Sequence, residues 1–249
     1  MQGRPESAST GSRPTRVRAA ALLAPTFKRA FWHVYDHLGT LIGANLLWLV
    51  LCAGVVTAPA ATAGLFHLAR RIAADEDARI RDFWAGFRHD FLPSLAVGTF
   101  TAGLAALLWF NIDFYGALGG GFAFVGAALA TLLVWAAVLL VLMHVHIHPL
   151  LASGDRSLAS IFRKSLLLTL DNPAFTVSVS LTALGLTALC VVSAAGLVLI
   201  AGSLAAVLLS TAHRELMKKY LPDSPEAAEP DETRTWRDLW RPWESQKPR

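Results

Sequence analysis

The 38 residues from Phe175 to Ala212 carry no Asp, Glu, Lys or Arg. As one straight helix at 1.5 Å per residue they would run about 57 Å, nearly twice the hydrocarbon core of a bilayer. The segment therefore predicts a chain that doubles back inside a membrane, with a break near Ser193–Gly196. Composition points the same way. The chain is 54% hydrophobic and 16% charged with a mean hydropathy of +0.47, where soluble domains run about 45–50% and about 25%. A soluble α/β or all-β enzyme is excluded.

Leu38–Thr57, Leu92–Asn111 and Phe122–Met143 are three more stretches of the length a spanning helix needs. With the two halves of 175–212 they make five full spans. Charge then tests the parity. The 22 Lys and Arg fall as 6 before Leu38, 5 in 70–91, 3 in 150–173 and 8 after Ala212. Five crossings alone would divide them 16 against 6 between the two sides. If Pro59–Leu68 also returns into the membrane, all lie on one side, the arrangement favoured by the excess of cations in cytoplasmic loops. At about 11 residues that segment suits a short or re-entrant helix, and Pro59 supplies the break because it has no N–H and clashes with the preceding turn. The predicted fold is an all-α polytopic membrane bundle in the cell membrane: five full spans, one short helix and both termini cytoplasmic. The competing arrangement has five spans and an external N-terminus.

One membrane domain, residues 26–220, accounts for the apolar segments. Residues 1–25 read as a disordered basic tail; no long apolar stretch directly follows their arginines, unlike a secretory signal. Residues 221–249 read as an acidic, proline-rich linker followed by a Trp/Arg-rich tail. There, Trp236, Trp240 and Trp243 could rest on the leaflet or dock on a partner. The net charge of +4 and pI near 9.4 belong to membrane topology, since neither a basic face nor an RNA-binding aromatic motif accompanies them; nucleic acid is not an expected partner. Cys52 and Cys190 lie within apolar stretches and read as buried thiols.

Three motifs echo one another ahead of membrane segments: Phe27-Lys28-Arg29, Phe87-Arg88-His89 and Phe162-Arg163-Lys164. Around the second, Ile80, Phe83, Trp84, Phe87 and Phe91 recur at helical spacing; around the third, Leu158, Ile161, Phe162 and Ser165 do. Both patterns predict amphipathic helices lying at the lipid interface, rings inward. The chain reads as three copies of an interfacial helix followed by a membrane hairpin, through either a shared origin or independent selection for a basic-aromatic boundary. Asn172 is expected to cap the third hairpin, with Pro173 in the first turn.

From Asn45 to Ile72 the sequence NLLWLVLCAGVVTAPAATAGLFHLARRI resembles the YesL-like integral membrane proteins, a bacterial domain of unknown function (DUF624). The likeness lies in an Asn-Leu-Leu-Trp opening, an apolar run, a Thr-x-Pro-Ala break (Ala58 standing where glycine is expected) and an Ala-rich segment ending in basic residues. FWAGFRHDF, from Phe83 to Phe91, resembles that family's aromatic-basic helix. The likeness extends over Phe27 to Tyr220 and is most specific over 45–91. It implies a small bacterial inner-membrane protein, often encoded beside carbohydrate-uptake systems, with no established catalytic residues and no cofactor.

Six positions stand out as candidate intramembrane or interface polar sites. Asn45 is an amide amid apolar residues, read as an interhelical hydrogen bond and alternatively as part of a substrate path. Trp48 lies one turn on, and Pro59 at the break. Asp113 ends the second span, read as solvated or as a cation or sugar contact. His144 and His148 share a helix face, with His146 pointing away, and His33 and His37 repeat that spacing beside Asp36. A joint metal site would need more than these pairs, and the sequence holds no HExxH motif, so the imidazoles read as boundary residues and no metal is expected. No P-loop, nucleophile elbow or paired intramembrane carboxylates occur. The expectation is a non-enzymatic accessory, assembly or regulatory partner of a carbohydrate-uptake system, with the bilayer and an ABC-type permease as partners. The alternative is a small-solute transporter or channel.

Overall fold

A computed structural model of the chain describes residues 19–221, 234 and 236–239. The expectations for residues 1–18, for the linker at 222–233 and for Trp240 and Trp243 lie outside the described residues. Among the latter the chain is all-helical: α1 (Ala19–Asp36), α2 (Leu38–Cys52), α3 (Ala58–Ala73), α4 (Ile80–His89), α5 (Phe91–Gly116), α6 (Ala123–Ala152), α7 (Leu158–Asp171), α8 (Pro173–Val192), the short α9 (Ala195–Leu199) and α10 (Ala201–Tyr220). A short turn of tighter helix covers Trp236–Leu239. The first helix starts at Ala19, inside the segment read as tail, because Ala19-Ala-Ala-Leu-Leu-Ala24 is made of strong helix formers.

Among the described residues three helices are long and apolar enough to cross a bilayer: α5, α6 with its preceding turn, and α8. A fourth span results only if α1 and α2, bent by 86° at His37, are counted as one. By length and apolarity the described helices thus supply three or four of the five full spans expected. The reason lies where helices stop. Leu38–Thr57 ends as helix at Cys52, about 22 Å of rise from its start. The second half of 175–212 is split again at Ile200, leaving α10 only 13 residues before Arg214. The expected break at Ser193–Gly196 is present. Ala194 sits there at φ +49°, with Ser193 Oγ donating to Cys190 O (2.8 Å) and accepting from Gly196 N–H (3.0 Å).

A non-glycine residue at positive φ carries a steric penalty of about 1 kcal/mol. Ala194→Gly is therefore expected to raise stability by about that amount, read as a higher unfolding midpoint in detergent. No change would mean that the turn relaxes freely.

Pro59 does not make the first turn-back. The chain reverses four residues earlier, at Ala53–Thr57, where Thr57 Oγ1 donates to Gly54 O (2.6 Å) and to Leu51 O. Pro59 lies in the first turn of α3, where a missing N–H costs nothing. The returning helix runs 16 residues, 12 of them before Arg70, and it closes with Arg70 and Arg71 in its last turn, favourable against the helix dipole.

The hairpins α2/α3, α5/α6 and α8/α10 are each preceded by an amphipathic helix: α1, α4 and α7. Their packing follows one rule. Each return helix packs on the entry helix and the outgoing helix of the next unit: α3 on α4 and α5, α6 on α7 and α8, and α10 back on α1 and α2. The three return helices α3, α6 and α10 also pack on one another. The three units expected from the Phe-basic echoes thus close into a ring. Cross-links join their polar ends: Arg71 to Asp82 (2.5 Å), Arg29 to Glu215 (3.3 Å), Arg156 to His89, and Arg214 to the Ala73 carbonyl. The opposite connections, 53–57, 117–122 and 193–200, contain no charged residue.

Burial is inverted relative to hydropathy. Ten of the sixteen residues of α3 are buried, although it is much less apolar than α5, of which only Ser94 and Val97 are. Leu107, Trp109 and Phe110 face outward instead. Lipid tails are as apolar as leucine, so the most apolar helices gain nothing by turning inward. This burial marks a membrane protein.

Contacts between units depend on small residues. A Cβ on Gly64 would stand 2.7 Å from the Phe83 carbonyl, and one on Gly86 would stand 2.7 Å from His67 Cγ. On α4 the residues at helical spacing divide between two surroundings. Phe83 is fully buried, but Ile80 and Trp84 are exposed, because the contact surface runs through Gly86 rather than through a ring. On α7, Ile161 and Ser165 are buried as the spacing predicts, and Phe162 meets Phe100 edge-on at 4.8 Å.

Candidate functional site

Asn45 is fully buried on α2, facing the interruption between α9 and α10. Its Nδ2 donates to Leu197 O (3.0 Å) and Val198 O (2.7 Å); its Oδ1 accepts from Gly202 N–H (2.9 Å) and Ser203 N–H (3.2 Å). These are backbone groups at helix ends, which have no intrahelical partner. A single amide offers both the donors and the acceptor such a break requires. Ser203 Oγ adds a bond to Leu41 O (2.8 Å). Trp48 lies on the same face. Its Nε1 donates to Thr62 Oγ1 on α3 (3.1 Å), and its ring covers Gly202, where a Cβ would stand 2.9 Å away. Asn45 and Trp48 together join α2, α3 and the broken return of the third hairpin. Both the amide nitrogen and the amide oxygen of Asn45 are engaged within the protein.

The other candidates are dispersed. Pro59 packs on α5, where a Cβ on Gly98 would meet its Cγ at 2.7 Å. Asp113 is exposed near the end of α5. His144 Nδ1 donates to Leu140 O (2.9 Å), and its ring lies 6.0 Å from that of His148, which stacks on Phe66 (5.0 Å). His33 faces Asp75 at the end of α3 (3.6 Å). Among the described residues no group of three or more His, Cys, Asp or Glu stands close enough to hold a metal ion.

What the structure adds is a buried polar core between the return helices. His146, fully buried, shares a bond between its Nε2 and Thr176 Oγ1 on α8 (3.2 Å), and its ring lies 5.9 Å from that of His213 on α10. The Nδ1 atoms of both rings are buried and make no hydrogen bond. Sequence reading placed His146 off the His144/His148 face but not inside, and passed over His213. The available signal was that α6 and α10, both return helices, each place a histidine shortly before the polar end. Nearby, Arg29 and Glu215 form an ion pair in which both residues are buried, extended by Lys218 (3.0 Å). Arg234 returns to α1, pairing with Asp36 (2.7 Å) and lying over Trp32 (4.4 Å).

At the polar rim, Asn172 does not cap α8. Its amide donates instead to Tyr220 Oη (2.6 Å), and its carbonyl accepts from Lys219 (2.9 Å), because the C-terminal end of α10 lies against this corner. Tyr220 in turn donates to Asp171. That hydroxyl, with Lys219, holds the Asp171 carboxyl below the usual range. Burial and the bond to Asp171 push the phenol up to about 12. The carboxyl's contribution is present above its unfolded value and lost as pH falls through its lowered one. The phenol's is present below its ordinary value of 10 and lost as pH rises through about 12. Tyr220→Phe is expected to lower stability at pH 7 by at most about 1 kcal/mol. The difference from wild type should shrink in acid below the usual carboxyl range and in strong base. A difference that is independent of pH in thermal melts would refute the latch.

Residues 41–112 match a family model described as "Protein of unknown function, DUF624", the family of the resemblance over 45–91. No curated protein and no solved structure matches the chain. The matched segment holds Asn45, Trp48, Thr62, Pro59, Gly64, Gly86 and Gly98, the α2–α5 side of the contacts above. Gly202 and Ser203, whose N–H groups donate to Asn45, lie outside it.

Proposed function

We propose that this chain is a non-enzymatic accessory, assembly or regulatory partner of a bacterial carbohydrate-uptake system, with its basic end and both termini cytoplasmic. The observation that carries this reading is the inverted burial. The helices one would expect to line a path, α3, α6 and α10, are packed against one another. The apolar α5 and the N-terminal half of α6 offer Leu107, Trp109, Phe110 and Trp135 outward. Such a surface suits lipid or the spans of a permease. The family resemblance supplies the carbohydrate context, and the one-ended charge supplies the orientation.

The second reading, a small-solute transporter or channel, is favoured by one feature, the buried His146–Thr176–His213 cluster. Intramembrane polar groups of this kind mark solute pathways elsewhere.

Isolation from native membranes separates the two. A carbohydrate permease subunit recovered at fixed stoichiometry supports the first reading. Saturable solute uptake by the purified chain in liposomes overturns it. Orientation is tested by single cysteines at Gly119 and Ser157 in a chain lacking Cys52 and Cys190. Impermeant reagent should reach them from opposite faces, Ser157 from the cytoplasm.

A further inference from the structure

The outer face of α4 carries a feature with no part in holding the ring together. Arg81, Trp84, Ala85 and Arg88 recur at three- and four-residue spacing and line a depression of about 460 Å³. They lie opposite Phe83 and Gly86, the residues packed on α3. Both arginines are exposed, and neither has an ion pair or hydrogen bond with a described residue. The nearby carboxylates are engaged elsewhere: Asp77, which feels the charge of Arg81, is paired with Arg79 (2.7 Å). Asp82 is buried on the other side, held by Arg71 (2.5 Å) and by the backbone N–H of Arg79 (2.7 Å). On the two equivalent helices Arg29 faces Glu215 (3.3 Å) and Lys164 faces Asp155 (2.6 Å). The depression on α4 thus holds two guanidinium groups seven residues apart, an indole between them and no anion.

Its position says what kind of anion fits. Arg88 stands three residues before α5 begins, and Leu92, the second residue of that spanning helix, is 73% exposed. Ile80 and Trp84 are exposed beside the arginines. Guanidinium groups bind phosphate oxygens in a fork, and indoles settle at headgroup depth. A freely soluble phosphate would leave this apolar margin in water, whereas a lipid covers it. We propose that the Arg81–Trp84–Arg88 face seats the phosphodiester of an anionic phospholipid.

Native mass spectrometry of the full chain in detergent, titrated with phosphatidylglycerol or phosphatidylcholine, tests this. Wild type should retain phosphatidylglycerol preferentially. Arg81→Gln with Arg88→Gln should bind it about 30-fold more weakly, with phosphatidylcholine unaffected. Arg81→Lys with Arg88→Lys should keep most of the binding. Equal retention of phosphatidylglycerol by wild type and the glutamine variant overturns the proposal. Full displacement of the lipid by millimolar inorganic phosphate or glycerophosphoglycerol assigns the site to a soluble phosphate and overturns it as well. A second measurement does not depend on the glutamine variant folding. Phosphatidylglycerol with brominated chains should quench wild-type tryptophan fluorescence more than that of Trp84→Phe, and an equal quench in the two counts against the seat.

Discussion

Asn45→Ala is expected to lower the stability of the detergent-solubilised protein by about 2–4 kcal/mol. Interhelical hydrogen bonds in membranes average about 0.6 kcal/mol, and Asn45 makes four to backbone groups with no other partner. The lower bound is their sum. The upper bound reflects the added penalty for leaving buried amides and carbonyls unsatisfied, about 1–3 kcal/mol per group where no water can enter. Asn45→Asp should be at least as damaging, since it loses both donations to Leu197 and Val198 and buries a carboxyl. The measurement is an SDS or thermal unfolding midpoint followed by circular dichroism. A loss below about 0.5 kcal/mol would show that α9 and α10 hold their geometry without the amide.

Gly86→Ala is the second large effect, expected to cost about 1–3 kcal/mol or more. The added methyl would press on the base of the His67 side chain, an atom that cannot swing away, and would stand 3.2 Å from the Gly64 Cα. Relief requires α4 to move off α3, exposing Phe83. Gly103→Ala on α5 is the matched control. Nothing lies within 4 Å of its added Cβ, and alanine favours a helix over glycine by up to about 1 kcal/mol. The two substitutions should therefore shift the unfolding midpoint in opposite directions. Equal, small shifts would mean that the α3–α4 contact is looser than the structure places it.

The two effects differ in how far the sequence announces them. Gly64 and Gly86 sit within the family-matched segment, but nothing in their spacing says that they meet each other between α3 and α4. Asn45 was legible as an amide needing a partner. The partner lies more than 150 residues away at a backbone break, and a break offers no side-chain pattern to read. The candidate metal pairs show the reverse case. Helical spacing correctly put His144 and His148 on one face, yet that face meets Phe66, while His146 on the other side enters the core against His213.

Span counting shows why composition stops short. Hydropathy counts consecutive apolar residues, and Leu38–Thr57 and 197–212 pass that count. Helices end where backbone hydrogen bonds are redirected, as at Thr57 by its hydroxyl and at Ile200 by the groups Asn45 receives. Those events make both helices shorter than the apolar stretches that contain them.

By itself the sequence determined that the chain is helical, carries apolar helices suited to a membrane, keeps the connections 53–57, 117–122 and 193–200 free of charge and turns near Ser193. Each of these follows from how single residues partition between water, interface and hydrocarbon. The tertiary structure alone decided that three hairpins close into a ring, that the less apolar α3 lies inside and that Asn45 supports a distant helix break. In a bilayer every face of an apolar helix is equally well solvated, so which faces meet is settled by shape and hydrogen bonding between segments far apart in the chain.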